Sequence, residues 1–309
     1  MLYTDKGNRF VFWVLIPIIV TTYLAFRVLD WQKLDDGNRV LIAEEHSKNI
    51  LLNPNINCLI LGGSNSVFGL SAEQLSGELN LNCYNLSLLN EGNSDSAYWH
   101  FIENLSLNNI SISHVFYSSI LPISTQINFN ARIADERRGI GIVQDNSFKL
   151  IGRSIASYLK SWLEGESIYD FPQYQLPNTH GDFIFELYER CNKETVQPWF
   201  LPVRDLDALN NWGRSQIENM NFLFPNAQLY LILPSTLRSE FFKESDFLLV
   251  VNTLRAIASE TSTVTQKVSF IEQSPFINSS VLCDGEHHPN AQGREIRTRE
   301  LIQIYRNLN

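Results

Sequence analysis

Apolar residues in this chain occur mostly in short runs that are separated by polar, turn-forming stretches. Five of these runs are predicted to be buried strands, at 58–61, 83–87, 114–118, 229–233 and 268–271. Helices are predicted from Ser71, which begins a capping box, and over 96–105, 245–260 and 291–308. Short apolar strands that alternate with helices predict an α/β fold, with a parallel sheet covered on both faces.

The longest apolar run lies at the N-terminus. Residues Phe10 to Phe26 include no charged side chain, and Val28 and Leu29 extend the run. At about 1.5 Å per residue, such a helix covers most of a hydrocarbon core of roughly 30 Å. No small-residue cleavage site follows, which argues against a signal peptide. We therefore expect one transmembrane helix over 10–29.

The charges beside this span predict its orientation. Lys6 and Arg9 precede it, whereas mixed charges follow it, so residues 1–9 are predicted to be cytoplasmic. Residues 30–55 are predicted to form a stalk with an amphipathic helix, followed by a domain over 56–309 in the periplasm or extracellular space. Such a compartment permits disulfides, although the sequence does not pair its four cysteines.

The alternation of strands and helices is interrupted at about 125–215, where prolines and aromatic residues are frequent. Helices are predicted there only at about 147–164 and 205–221. Open α/β sheets bind ligands at the carboxyl ends of their strands. We therefore interpret this stretch as a long insertion that forms a wall or lid over that edge.

Composition excludes some classes of function. The chain has 24 basic and 33 acidic residues, a net charge of −9, and no basic block, so we expect no nucleic-acid partner. The cysteines have no CxxC spacing, so a cysteine zinc site is not predicted.

Ser64 is the first candidate for chemistry. It follows the first predicted strand in the sequence Gly62-Gly63-Ser64, where a serine would project at the carboxyl end of the sheet. Taken alone, this pattern is also that of an ordinary turn. No phosphate-loop pattern is present, because no GxxxxGK[ST] sequence occurs.

The stretch before the last helix supplies the groups that a serine nucleophile needs. It holds Asp284, His287 and His288, followed by Pro289-Asn290. A nucleophilic serine requires a base within hydrogen-bond distance, and the base requires an acid to orient it. A metal site or a solvated polar loop is the alternative interpretation. The combination with Ser64 favours a Ser-His-Asp site.

These two motifs resemble those of the SGNH (GDSL-like) hydrolases. The resemblance covers about 57–120 and 225–305 and leaves the middle unmatched. It implies a three-layer α/β/α, flavodoxin-like fold, and a triad of Ser64, Asp284 and a histidine that acts on esters without a metal or cofactor. The anchored form is similar to proteins that handle acyl groups on bacterial surface polysaccharides.

The final motif is one residue longer than is usual in that family. Counting forward from Asp284 selects His287 as the base, whereas counting back from Pro289-Asn290 selects His288. We favour His288, because the following helix fixes the residue before Pro289, and the loop after Asp284 can absorb an extra residue.

The oxyanion hole implied by the resemblance is incomplete. The family uses the serine amide, a glycine amide and an asparagine side chain, and Gly92 fits the glycine. Serines follow the third strand where the asparagine is expected. Ser119, Asn90 or Asn93 are the candidate replacements, and the two asparagines are also ordinary turn residues.

The sequence therefore predicts a membrane-anchored serine esterase or O-acyltransferase. The resemblance implies acyl, chiefly acetyl, esters of a cell-surface polysaccharide as substrate and polysaccharide-assembly proteins as partners. The alternative is a non-catalytic SGNH-like protein that binds a glycan or serves as a scaffold, which the missing asparagine favours. Esterase and transferase activity are not separated by the sequence.

Overall fold

The structure, a computed structural model, describes the chain in several stretches. They are 45–88, 96–105, 107, 110–119, 121, 177–185, 206–237, 244–264, 266–283 and 288–308. The predicted transmembrane helix 10–29 and the predicted helix at 147–164 lie outside the described residues. None of the helices in the described stretches has the length and hydropathy of a membrane span.

A five-stranded parallel sheet forms the centre of the fold. Its strands are β1 (Cys58–Gly62), β2 (Cys83–Asn85), β3 (His114–Ser118), β4 (Gln228–Ile232) and β6 (Val268–Ile271). Their order across the sheet is β2-β1-β3-β4-β6. This is the strand order of flavodoxin-like folds. All five predicted strands and the predicted α/β fold with a parallel sheet are confirmed.

Helices cover both faces of this sheet. They are α1 (Ser64–Gly69), α2 (Ala72–Leu79), α3 (Ser96–Asn104), α4 (Leu206–Leu223), α5 (Glu244–Thr261) and α6 (Ala291–Leu308). Alternate strand residues point to opposite faces. The sheet face that carries Ile60 packs against α2 and α6. The opposite face, which carries Leu59, packs against α3, α4 and α5. The result is a three-layer α/β/α arrangement.

Local signals explain where two of these helices begin. The Ser71 side chain accepts a hydrogen bond from the amide of Gln74, which caps α2 as the sequence predicts. The Asn290 side chain accepts one from the amide of Gly293 at the start of α6. These caps satisfy amides that have no partner within the helix.

A disulfide bond joins β1 and β2. Cys58 and Cys83 are register partners in the sheet, with their Cα atoms 4.3 Å apart. Cys283 is also disulfide-bonded. The sequence left this pairing open, because only the strand register places Cys58 beside Cys83.

Two features of the fold were not predicted. The first is α1, because all six of its residues are buried and it therefore has no amphipathic pattern. The second is a two-stranded parallel sheet of β5 (Thr236–Leu237) and β7 (Phe276–Ile277), whose strands are too short to carry a period. A 3-10 turn, Ser279–Val281, follows β7.

Residues 45–52 are helical, within the stretch where the sequence predicts an amphipathic helix, and His46 packs this segment onto β2. The His46 side chain is buried, and its Nδ1 lies 2.9 Å from the Tyr84 hydroxyl. Burial lowers the pKa of His46 to about 3, because a charged imidazole would lose its hydration there. The folded protein therefore holds this imidazole in its neutral form.

We expect His46 to make the protein less stable as the pH falls. Its folded pKa lies below its unfolded pKa, so its contribution is complete above about pH 6.5 and is lost as the unfolded chain takes up a proton. Between pH 7 and pH 5 this group should lower the free energy of unfolding by about 2 kcal/mol. Urea titrations of the full chain should show a shallower pH dependence in His46→Gln, and equal slopes in both proteins would contradict the assignment.

Candidate active site

Ser64 lies at the carboxyl end of the sheet. It follows β1 directly, Gly63 precedes it in an extended conformation, and α1 begins at Ser64 itself. The residue is 8% exposed. The serine is thus placed at the edge where open parallel sheets bind their ligands.

Gly62 allows the backbone to make this turn. Its φ is +138°, and a Cβ atom at this position would lie 1.8 Å from the carbonyl oxygen of Ser118. Only glycine adopts such a φ at low cost. The last residues of β1 and β3 can therefore approach each other closely, and α1 starts at this point.

Two side chains of α1 attach it to the end of β3. Ser66 donates a hydrogen bond to the carbonyl oxygen of Ser118, and Asn65 Nδ2 donates to Ser118 Oγ over 2.8 Å. Ser119, a predicted oxyanion candidate, is buried directly after β3. The first turn of α1 is therefore attached to the end of β3, next to Ser119.

His288 lies in a loop that is closed at its base. The amide of Cys283 donates to the carbonyl oxygen of His288 over 2.7 Å, and Leu282 and Pro289 form an antiparallel bridge. The amide of Asn290 donates to Val281 O, also at the base of this loop. Asp284 and His287 lie outside the described residues, as do Gly92, Asn90 and Asn93.

The imidazole of His288 packs on α1. It stacks on the ring of Phe68, with centroids 4.5 Å apart and planes inclined by 21°. Phe68 is four residues after Ser64 in the same helix, and residues at this spacing lie on one helix face. The structure thus brings His288 to the face of α1 on which Ser64 lies.

Residues 177–185 belong to the predicted insertion, and part of this stretch packs against α1. Phe183 and Phe185 contact Phe68, with ring centroids 4.8 and 5.9 Å away. Together with Val67 and Cys283 they form a small buried cluster. The only sequence signal for this contact is the pair of phenylalanines after Gly181-Asp182.

Comparison with known proteins gives similarity in structure alone. No family model matches the chain, and no curated protein matches it. A family two carbohydrate esterase from Clostridium thermocellum matches with TM-score 0.41 and 9% identity, over 82% of this chain and 64% of that one. A carbohydrate esterase family 2 enzyme from Corynascus thermopiles matches with TM-score 0.45 and 11% identity, over 82% of this chain and 66% of that one.

A GDSL-like lipase from Parabacteroides merdae, the class that the two motifs resemble, matches with TM-score 0.36 and 13% identity, over 81% of this chain and 96% of that one. The chain thus spans only about two thirds of the length of the two esterases. Because these TM-scores are below 0.5, we base the function on this chain's own residues.

Replacing Gly62 should disrupt the site and the fold together. Gly62→Ala places a methyl group against Ser118 O and forces an unfavourable φ, and we expect a loss of about 3 kcal/mol or more in stability. Gly77→Ala is the matched control, because nothing lies within 4 Å of that position and the helix should gain about 0.5–1 kcal/mol. Thermal unfolding of both variants tests this expectation. A Gly62→Ala protein as stable as the wild type would contradict it.

Proposed function

We propose that this chain is a membrane-anchored serine esterase or O-acyltransferase that acts on acyl esters, chiefly acetyl esters, of a cell-surface polysaccharide. The observation that carries the proposal is the position of His288, which stacks on Phe68 one helical turn from Ser64. A nucleophilic serine needs a base within hydrogen-bond reach, and this stacking on the helix of Ser64 supports His288 as that base.

The reaction would begin with proton transfer from Ser64 Oγ to His288, as Oγ attacks the ester carbonyl carbon. Asp284 would hold the imidazole in the correct tautomer and stabilise its positive charge. The tetrahedral intermediate would collapse as His288 returns the proton to the departing alcohol oxygen. The acyl group on Ser64 would then pass to water, in an esterase, or to a sugar hydroxyl, in a transferase.

The negative charge on the intermediate would be stabilised by the backbone amides of Ser64 and Gly92. Ser119, Asn90 and Asn93 are the candidates for the third donor. Ser119 lies directly after Ser118, whose Oγ and carbonyl oxygen both accept hydrogen bonds from α1. This attachment supports a role for the end of β3 in the oxyanion site.

The outward location of the domain is part of the proposal. The Cys58–Cys83 disulfide and the bonded Cys283 support an oxidising compartment, such as the periplasm. Membrane attachment derives from the apolar run at 10–29, and the glycan substrate derives from the resemblance in the sequence. A non-catalytic glycan-binding or scaffold protein is the alternative outcome of the experiments below.

Ser64→Ala should abolish hydrolysis of p-nitrophenyl acetate by the full-length protein, because the alanine has no nucleophile. Ser245→Ala is the matched control, since Ser245 is exposed at the start of α5. A fluorophosphonate probe should label the wild type and Ser245→Ala but not Ser64→Ala. Equal, near-background rates and no labelling in all three proteins would favour the non-catalytic alternative.

Replacing each of the two adjacent histidines should have very different effects on activity. We expect His288→Gln to lower kcat by at least about 10³-fold, as is usual when a catalytic base is removed. His287→Gln should stay within about threefold of the wild type, because a neighbour outside the triad makes no transition-state contact. Steady-state rates of the two variants decide between them. The reverse pattern would assign the base to His287.

A further inference from the structure

Asp182 is a buried carboxylate that lies outside the proposed triad. It is 1% exposed. Its oxygens accept hydrogen bonds from Ser71 Oγ and from the amides of Ala72 and Glu73, at 2.8 to 3.0 Å. Asn85 Nδ2 lies 3.4 Å from the same carboxylate. The start of α2 has amides without a partner inside the helix and the positive end of the helix dipole. Both offset the loss of hydration of this buried carboxylate.

Backbone contacts fix the chain around Asp182 against β2. The amide of Asn85 donates to the carbonyl oxygen of His180 over 2.8 Å. The Asn178 side chain accepts from the amides of His180 and Asp182. Gly181, with φ +77°, approaches Asn85 so closely that a Cβ would lie 2.1 Å from the Asn85 carbonyl oxygen. Residues 178–182 are therefore attached to the end of β2.

The chain continues from this attachment into the aromatic cluster beside His288. Phe183 and Phe185 pack on Phe68, whose ring also stacks on His288. Arg294 of α6 donates to Phe183 O over 2.7 Å and places its guanidinium 4.6 Å from the centre of the Phe185 ring. The segment is thus held at one end by Asp182 and at the other by Arg294.

We propose that Asp182 is a positioning residue for His288. It acts by holding Phe183 and Phe185 behind Phe68, so that the imidazole stays stacked at the orientation needed to reach Ser64. This inference rests on the proposed function. Asp182 also caps α2, because it accepts the amides of Ala72 and Glu73, which the Ser71 side chain leaves without a partner when it accepts the amide of Gln74.

The first test compares Asp182→Asn with Gln266→Ala in the full-length protein. Asparagine keeps the shape but loses the charge and one acceptor. We expect kcat for p-nitrophenyl acetate to fall about 10- to 100-fold, as for other small displacements of catalytic groups, and KM to change less than about threefold. Gln266 is the matched control, because it is also buried. Its Nε2 donates hydrogen bonds to Phe224 O and Ala227 O, near the amino ends of the strands and away from Ser64. Its loss should leave kcat unchanged.

A double-mutant cycle separates positioning from general destabilisation. If Asp182 acts through His288, Asp182→Asn should cost almost nothing in a protein that already carries His288→Ala. The same fold-loss in both backgrounds would overturn the proposal. Arg294→Gln, which releases the other end of the segment, should reproduce the dependence on His288 if Asp182→Asn fails to fold.

A measurement that needs no activity tests the same geometry. The ring of Phe68 should shift the His288 imidazole protons upfield in NMR spectra, and His288→Gln assigns that signal. We expect the shift to decrease in Asp182→Asn and Arg294→Gln but not in Gln266→Ala. An unchanged signal in both variants would overturn the positioning role. Equal rates for Ser64→Ala and wild type would instead overturn the proposed function, which keeps the two failures distinct.

Discussion

The close approach of Gly62 to the Ser118 carbonyl oxygen is the contact on which the candidate site depends. That oxygen also accepts the hydroxyl of Ser66, so α1 is bonded to the end of β3 at the point where Gly62 ends β1. Any side chain at Gly62 would separate the two strands at the point where α1 begins. The position of Ser64 therefore depends on the spacing of β1 and β3 at this edge of the sheet.

Phe68 is the contact that joins α1 to the rest of the site on the side of His288. Its ring contacts Phe183 and Phe185 of the insertion and His288 of the last loop. Two segments that are far apart in sequence thus meet on one side chain of the helix that begins with Ser64. Apolar stacking of this kind fixes orientation without placing further charge near the imidazole.

Local patterns predicted the elements of the fold better than the site. Apolar runs identified all five strands, and Ser71 marked the start of α2, because burial and capping act over a few residues. α1 was not predicted, because it is buried on every side and therefore has no alternation of polar and apolar faces. The docking of 178–182 could not be predicted, since the donors to Asp182 come from Ser71, α2 and β2, about a hundred residues earlier in the chain. Asp284, His287 and Gly92 remain predictions from sequence.

The disulfide between Cys58 and Cys83 encloses β1, α1 and α2 in a covalent loop of sequence separation 25. Ser64 lies inside that loop. If a protease cut the chain between α2 and β2, the two fragments would stay linked through this bond. The predicted anchor at 10–29 would remain attached to the fragment that carries His288, and only reduction would release it. A nicked molecule would thus keep both its nucleophile and its attachment.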